Sequence, residues 1–147
     1  MKPLPTSHLT VACLTLLLLN LPVLGIPESQ LHRQFETDIE KRTIDLTELR
    51  SGGPGKDGIP SIDNPRFTTF EKADKWLDPL EPVIALEHKK TAKAYPLQIL
   101  IWHEIVNDTI TETPVAVTFC PLCYSAIVFN RQLPSRTLAF AVSALLP

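Results

Sequence analysis

The glycines of this chain are confined to its first part, and this constrains how the rest can fold. All five lie at or before Gly58 in a sequence of 147 residues. The remainder alternates short apolar runs with turn residues, a pattern typical of β-strands. Tight hairpin turns usually need glycine, because their central residues adopt positive φ angles that other residues resist. We therefore expect strands joined by wider loops or by strained turns, above all between Ile110 and Pro114.

Local patterns after Gly58 predict the individual elements. Residues 82–87 and 92–95 predict a hairpin around a polar turn. Apolar residues at helical spacing after Pro96 predict a short helix that carries His103. Asn107-Asp108 indicates a turn. The other predicted elements are a turn and short helix over 63–77 and strands at 115–119, 125–129 and 137–142. The fold class is therefore predicted to be mainly β with short helices (β-rich α+β), in a single small domain.

The N-terminal segment has the three parts of a secretory signal peptide. A cationic start precedes an apolar run over residues 11–19, and Gly25 supplies a small residue for cleavage. Asn20 and Pro22 interrupt the apolar run, which leaves it shorter than the roughly 20 residues of a membrane-spanning helix. Residues 1–25 are thus predicted to direct secretion or periplasmic export, and an uncleaved membrane anchor is the weaker alternative.

The mature chain is predicted to have two zones. Residues 26–50 form a polar leader, partly helical or disordered, and residues 51–147 form the domain. The glycine-rich segment 51–58 is a loop, but Lys56 is not followed by the Ser or Thr of a phosphate-binding loop.

The charge balance limits the partners of the mature chain. Lys and Arg number 14 against 16 Asp and Glu, and cleavage of the signal peptide removes Lys2 from the basic side. This slight excess of acid disfavours a nucleic-acid partner. We predict no nucleic-acid partner and no stable membrane span after cleavage, while a protein or metal-donor partner stays open.

The residues that carry chemistry are concentrated at Cys120-Pro121-Leu122-Cys123. Loss of Cys13 with the signal peptide leaves Cys120 and Cys123 as the only cysteines. Two thiols at this spacing can close a small disulfide or bind one metal ion. In an oxidising compartment an exposed pair is oxidised unless burial or a metal protects it.

A soft-metal site is the leading hypothesis for these cysteines. His103 is the best third ligand of Cys120 and Cys123, and two thiolates with an imidazole suit Zn or Cu(I). The side chains that could support the ligands or transfer protons are Glu104, Asn107 and Asp108. The sequence assigns no catalytic residue, and whether the protein is an enzyme stays open.

Two alternatives to the metal site remain. The chain could be a structural or interaction domain with a Cys120–Cys123 disulfide, or a thiol-disulfide redox protein. A proline after the first cysteine also occurs in thiol-disulfide oxidoreductases. Their thioredoxin-like fold starts a helix at that cysteine, whereas residues 124–129 are β-branched and aromatic, and too few residues follow for a complete domain of that kind. The motifs of the helical zinc proteases and the zinc deaminases are also lacking.

Three sequence blocks are distinctive when taken together. They are Ser51-Gly52-Gly53-Pro54-Gly55-Lys56-Asp57-Gly58-Ile59-Pro60 with Ile62-Asp63-Asn64-Pro65, then Ala94-Tyr95-Pro96-Leu97 with His103-Glu104-Ile105-Val106-Asn107-Asp108, and then Cys120-Pro121-Leu122-Cys123 with Ala126 and Phe129. In these blocks the chain resembles an exported prokaryotic family of domains of unknown function, family three-one-seven-nine. The resemblance implies an exported protein with a site grouped around the histidine and the cysteines, and it implies no reaction.

The chain also departs from the pattern of that family. The resemblance implies glycines near four positions that are occupied here by Thr111, Glu112, Tyr124 and Ala144. It also implies further strands and tryptophan-containing motifs beyond residue 147. We therefore expect a C-terminally truncated member of the family.

Overall fold

A computed structural model of the protein describes residues 25–36 and 38–146. Residues 1–24, which include Cys13 and nearly all of the predicted signal peptide, lie outside the described residues. Two compact units are present, one formed by the described residues up to Arg50 and one by Ser51–Leu146. In the first unit, α1 spans Glu28–Gln34 and a 3-10 helix spans Leu46–Glu48. None of the helices in the described part of the chain has the length and apolar character needed to span a membrane.

Strands dominate the second unit. In chain order the strands of the described residues are β1 Arg50–Ser51, β2 Ile62–Asp63, β3 Val83–His88, β4 Thr91–Pro96, β5 Ile105–Ile110, β6 Thr113–Cys120, β7 Ser125–Asn130 and β8 Leu145–Leu146, and the helices that follow α1 are α2 Phe70–Ala73 and α3 Leu97–His103. A four-stranded sheet has the order β2-β5-β6-β7, with β2 parallel to β5 and the other pairs antiparallel. β3 and β4 form a separate antiparallel hairpin. The prediction of a mainly β chain with short helices is confirmed.

The core of the second unit lies where α3 and β4 pack against the sheet. Its buried members are Tyr95, Leu97, Leu100, Val106, Val117 and Phe119. The apolar residues Leu97 and Leu100 of α3 face this core, whereas Trp102 is 72% exposed. The predicted helix that carries His103 is confirmed, and so is the predicted hairpin, in which His88 pairs with Thr91 around a two-residue turn.

The prediction of a turn at Asn107-Asp108 is wrong. Both residues lie inside β5 and are buried, with exposed fractions of 4% and 7%. Polar residues of this kind usually mark turns because they compete for local hydrogen bonds. In this protein their side chains find partners far away in the sequence, so the strand continues through them.

The predicted strand at residues 137–142 is also wrong, because this segment is irregular. The side chain of Asn107 bonds the backbone of Phe140, and the guanidinium group of Arg131 donates to the carbonyl oxygen of Leu138. Side chains therefore satisfy backbone groups that a neighbouring strand would otherwise bind.

The turns without glycine are strained. Thr111 and Glu112, with φ angles of 44° and 65°, form the two-residue turn between β5 and β6. Tyr124 and Ala144 have φ angles of 48° and 57°. Each left-handed residue of this kind costs about 1 kcal/mol relative to glycine. These four positions are the ones at which the resemblance implies glycine, and the expected strain between Ile110 and Pro114 is present.

Candidate functional site

Cys120 and Cys123 form a disulfide at the turn between β6 and β7. Cys120 is the last residue of β6 and pairs with Ser125, the first residue of β7, so the bridge closes the turn of residues 121–124. Cys120 is half-buried, whereas Cys123 is exposed. The backbone N–H of Cys123 donates to Cys120 Sγ across 3.4 Å. The more exposed of the two residues is thus the second cysteine, and a backbone donor faces the sulfur of the first.

Apolar side chains project from the same turn. Leu122 is 78% exposed and Tyr124 is 69% exposed. The ring of Tyr124 lies edge-on to buried Phe119, with 5.7 Å between the ring centroids. This contact anchors one side of the turn to the core, while the bridge itself stays at the rim of the sheet.

A cleft of about 100 Å³ lies beside Cys120. Ile59, Pro121 and Val142 contribute apolar walls, and among the described residues Glu104 is the one charged residue that lines it. Glu104 and Cys120, two residues of the predicted site, therefore line the same cleft.

The backbone of Glu104 is fixed by its place between α3 and β5. Its N–H donates to the carbonyl oxygen of Leu100 across 2.7 Å, and its carbonyl oxygen accepts the N–H of Phe119 across 2.8 Å. It has a left-handed conformation with φ of 56°. Burial raises the pKa of the Glu104 carboxyl group. The neutral form of this carboxyl group is therefore favoured more than in a fully solvated glutamate.

His103 is held by a backbone carbonyl group. Its Nδ1 lies 2.8 Å from the carbonyl oxygen of Pro60. Because a carbonyl oxygen only accepts, Nδ1 carries the proton in this contact, and in the neutral ring Nε2 has the free lone pair. Within residues 25–36 and 38–146 no three His, Cys, Asp or Glu side chains form a group that could hold a metal ion. The predicted set of His103, Cys120 and Cys123 is therefore not assembled in the oxidised protein.

Asn107 and Asp108 point to opposite faces of the sheet, as neighbours in a strand do. Asn107 Nδ2 donates to Asp63 Oδ1 across 2.7 Å and to the carbonyl oxygen of Phe140 across 2.8 Å, and its Oδ1 accepts the N–H of Phe140. Neither Asn107 nor Asp108 is among the residues that line the cleft. The sequence predicts that Asn107 and Asp108 support the cysteine site, whereas in the structure both lie outside the cleft beside Cys120.

Asp108 belongs to a buried polar cluster between β4 and β5. Its two carboxylate oxygens accept from Lys93 Nζ at 2.9 and 2.8 Å, and Oδ2 also accepts from the hydroxyl group of Tyr95 at 2.8 Å. The ammonium group of Lys93 lies 4.3 Å from the centroid of the Phe67 ring. Burial, followed by the hydrogen bond to Asp108 and its negative charge, raises the pKa of Tyr95. These contacts provide both carboxylate oxygens of Asp108 with hydrogen-bond donors.

A family model described as a protein of unknown function (DUF3179) matches residues 56–147. The chain belongs to this family. The match starts within the first of the three sequence blocks and includes the other two, so the resemblance noted from those blocks is confirmed at the level of the family. No curated protein and no solved structure matches the chain.

In this DUF3179 protein the sequence predicts a site with the cysteines, His103 and Glu104, but it does not predict the residues that surround them. The contact of His103 with Pro60 and the wall of the cleft at Val142 join segments that are distant in the sequence. A turn at Asn107-Asp108 gives no reason to expect the ion pair between Lys93 and Asp108. The β-branched residues Ile105, Val106, Thr109 and Ile110 on either side of Asn107-Asp108 were the signal that could have indicated a strand.

Proposed function

We propose that the protein carries out thiol-disulfide exchange at the Cys120–Cys123 bridge. The observation that supports this proposal is the exposure of Cys123 on a turn outside the sheet. A thiolate can approach Cys123 Sγ without separating β6 from β7, because the strands end at Cys120 and begin again at Ser125. Access of this kind is what exchange requires.

The exchange begins with a thiolate of the partner attacking Cys123 Sγ. A new disulfide forms between the partner and Cys123, the Cys120–Cys123 bond breaks, and its electron pair remains on Cys120 Sγ as a thiolate. The backbone N–H of Cys123 faces this sulfur, and a hydrogen bond to a thiolate lowers its pKa and makes it a better leaving group. A second thiolate of the partner then attacks the partner's sulfur in the mixed disulfide, which releases an oxidised partner and the reduced Cys120 and Cys123.

As a purely structural disulfide, this bridge would add little to the stability of the fold. In the chain-entropy model a disulfide that closes so short a loop stabilises a fold by about 2 kcal/mol, against about 3 kcal/mol for a loop of about 15 residues. The β6–β7 ladder, which runs from Val115↔Asn130 to Cys120↔Ser125, already holds the turn closed. An exported protein, as the N-terminal segment predicts, would work where such a bridge forms readily.

Binding of Zn or Cu by the reduced cysteines is the second candidate function. The observation in its favour is the hydrogen bond from His103 Nδ1 to the carbonyl oxygen of Pro60, because metal-binding histidines usually donate their other ring N–H in this way. This function needs both thiolates, which only the reduced form supplies. Metal content measured after reduction, compared between the wild type and His103→Ala, tests it. Equal metal content in the two proteins would remove His103 from the site.

The exchange proposal is tested with single-cysteine variants and glutathione disulfide. In Cys120→Ser the exposed Cys123 should form a mixed disulfide at least about tenfold faster than Cys120 does in Cys123→Ser, because thiol access controls the rate. Mass spectrometry of the trapped protein gives both rates, and circular dichroism confirms that both variants keep the native strands. If both cysteines react only after denaturant is added, the bridge is structural and the proposal fails.

A further inference from the structure

In the part of the chain that the structure describes, β7 is a sheet edge without the usual protection against pairing. It lies at the end of the order β2-β5-β6-β7, and all of its residues from Ser125 to Asn130 are exposed. Its sequence, Ser-Ala-Ile-Val-Phe-Asn, contains no charged residue, proline or glycine. Natural edge strands usually carry such residues, or bulges, to prevent another strand from adding to them.

The register fixes which backbone groups of β7 face outward. The N–H of Arg131 donates to the carbonyl oxygen of Pro114, in line with the pairing of Val115 with Asn130. Residues along an antiparallel strand alternate between bonding the neighbour and facing away from it. The N–H and C=O groups of Ala126, Val128 and Asn130 therefore point away from β6. None of the backbone hydrogen bonds among the described residues outside the strand pairs uses them, so one further strand could pair with them.

This free edge is continuous with the disulfide. Ser125 pairs with Cys120 and begins β7 directly after the turn that contains Cys123. Along the edge Ile127 is 57% exposed and Phe129 is 41% exposed, and Leu122 and Tyr124 extend the apolar surface around the bridge. A strand that added to β7 would end beside Cys123.

We infer that the β7 edge is the docking surface for an extended, uncharged segment of a cysteine-containing polypeptide. The segment pairs with the outward groups of β7 as an added strand, and its cysteine thiolate attacks Cys123 Sγ. This inference rests on the proposed exchange and names its substrate class. The lack of charge on β7 selects an uncharged segment, because a charged side chain beside it would lose solvation without gaining a partner. Backbone pairing supplies affinity with little dependence on sequence.

The test uses Val128→Pro, which removes one outward N–H group. Proline is tolerated where the lost N–H faces away from the sheet, so the β6–β7 ladder and the bridge should persist. Val128→Ala is the matched control, because it shortens the side chain and keeps the N–H group. The probes are a short, capped peptide of alternating Val and Thr with a Cys near one end, and glutathione. We expect Val128→Pro to react with the peptide about tenfold more slowly than Val128→Ala, and both variants to react equally with glutathione.

Peptides that are N-methylated on alternate amide groups give a second test on the wild type, independent of any variant's folding. Methylation in one phase blocks the amides that pair with β7, whereas methylation in the other phase leaves them free. Slower reaction for one phase alone supports docking on the edge.

Equal rates for the two phases overturn the inference, and they leave the exchange proposal intact as long as glutathione reacts. A wild type that does not react with glutathione fails the exchange proposal itself. A dimer that Val128→Pro dissociates, and that the peptide cannot displace, would assign the edge to a second copy of the chain and overturn the inference.

Discussion

Thr111 and Glu112 carry a cost that glycine would remove. Both have positive φ angles in the turn between β5 and β6. We expect Thr111→Gly and Glu112→Gly each to raise the free energy of unfolding by roughly 0.5 to 1 kcal/mol, because relief of the left-handed strain exceeds the added entropy of the unfolded chain. Urea unfolding measures the change. Thr109→Gly, at an exposed and extended position in β5, is the control and should lower stability. Destabilisation by all three substitutions would show that these turn residues are not strained.

The hydroxyl group of Tyr95 links stability to alkaline pH. Burial beside Asp108 raises the pKa of Tyr95 above its ordinary value. The folded protein therefore keeps a proton that the unfolded chain loses above about pH 10, so this group's contribution to stability is complete below that pH and declines as the pH rises beyond it. Tyr95→Phe should be less stable at neutral pH by about 1 to 3 kcal/mol, because the buried Asp108 carboxylate loses a donor. The variant should show a smaller loss of stability between about pH 9 and about pH 11 than the wild type. Parallel pH profiles for the two proteins would contradict this account.

At the scale of elements, Asn107 connects the central strand β5 to an irregular segment. Its amide group binds both the N–H and the C=O of Phe140. In Asn107→Ala we expect the amide hydrogen of Phe140 to exchange faster by about fivefold or more, since one lost hydrogen bond is worth about 1 kcal/mol or more. The amide hydrogen of fully buried Val117 in β6 should change much less. Hydrogen-exchange mass spectrometry or NMR measures both. If Phe140 exchanges at the wild-type rate, its anchoring to β5 is wrong.

The elements with local signals could be predicted from the sequence. The hairpin of β3 and β4, the helix α3, and the strands β6 and β7 all follow from apolar patterns and flanking turn residues. The short parallel strand β2 has no such signal, because two residues carry no periodicity. β5 was obscured by Asn107 and Asp108, whose partners Asp63, Phe140 and Lys93 are distant in the sequence. Pairing of this kind is set by tertiary contacts, which override local propensity.

In the candidate site, too, some features could be predicted from the sequence and others could not. The residue types and spacing of Cys120 and Cys123 indicated a bridge or a metal site, and the flanking strands placed them at a turn. The cleft beside Cys120 could not be predicted, because Glu104 and Val142 reach it from separate parts of the chain. The exposure of Cys123 could not be predicted either, because it depends on the end of the β6–β7 ladder.

At the scale of the second unit, the bridge lies at the rim of the sheet and not in its core. Ala116 and Val117 of β6 are fully buried, whereas β7 is exposed along its whole length. Reduction of the bridge should therefore leave the packing of the core unchanged. At this rim the exposed Cys123 and the last strand of the sheet among the described residues lie next to each other.

The central claim is that this bridge opens and closes reversibly in the folded protein. Equilibration of the native protein with glutathione buffers of graded redox potential, followed by thiol alkylation and mass spectrometry, gives its midpoint potential. We expect a midpoint between about −270 and −120 mV, the range of proteins that exchange disulfides, with the circular dichroism spectrum unchanged across the titration. A midpoint below about −300 mV, which is typical of structural disulfides, or loss of the strand signal on reduction, would contradict the account.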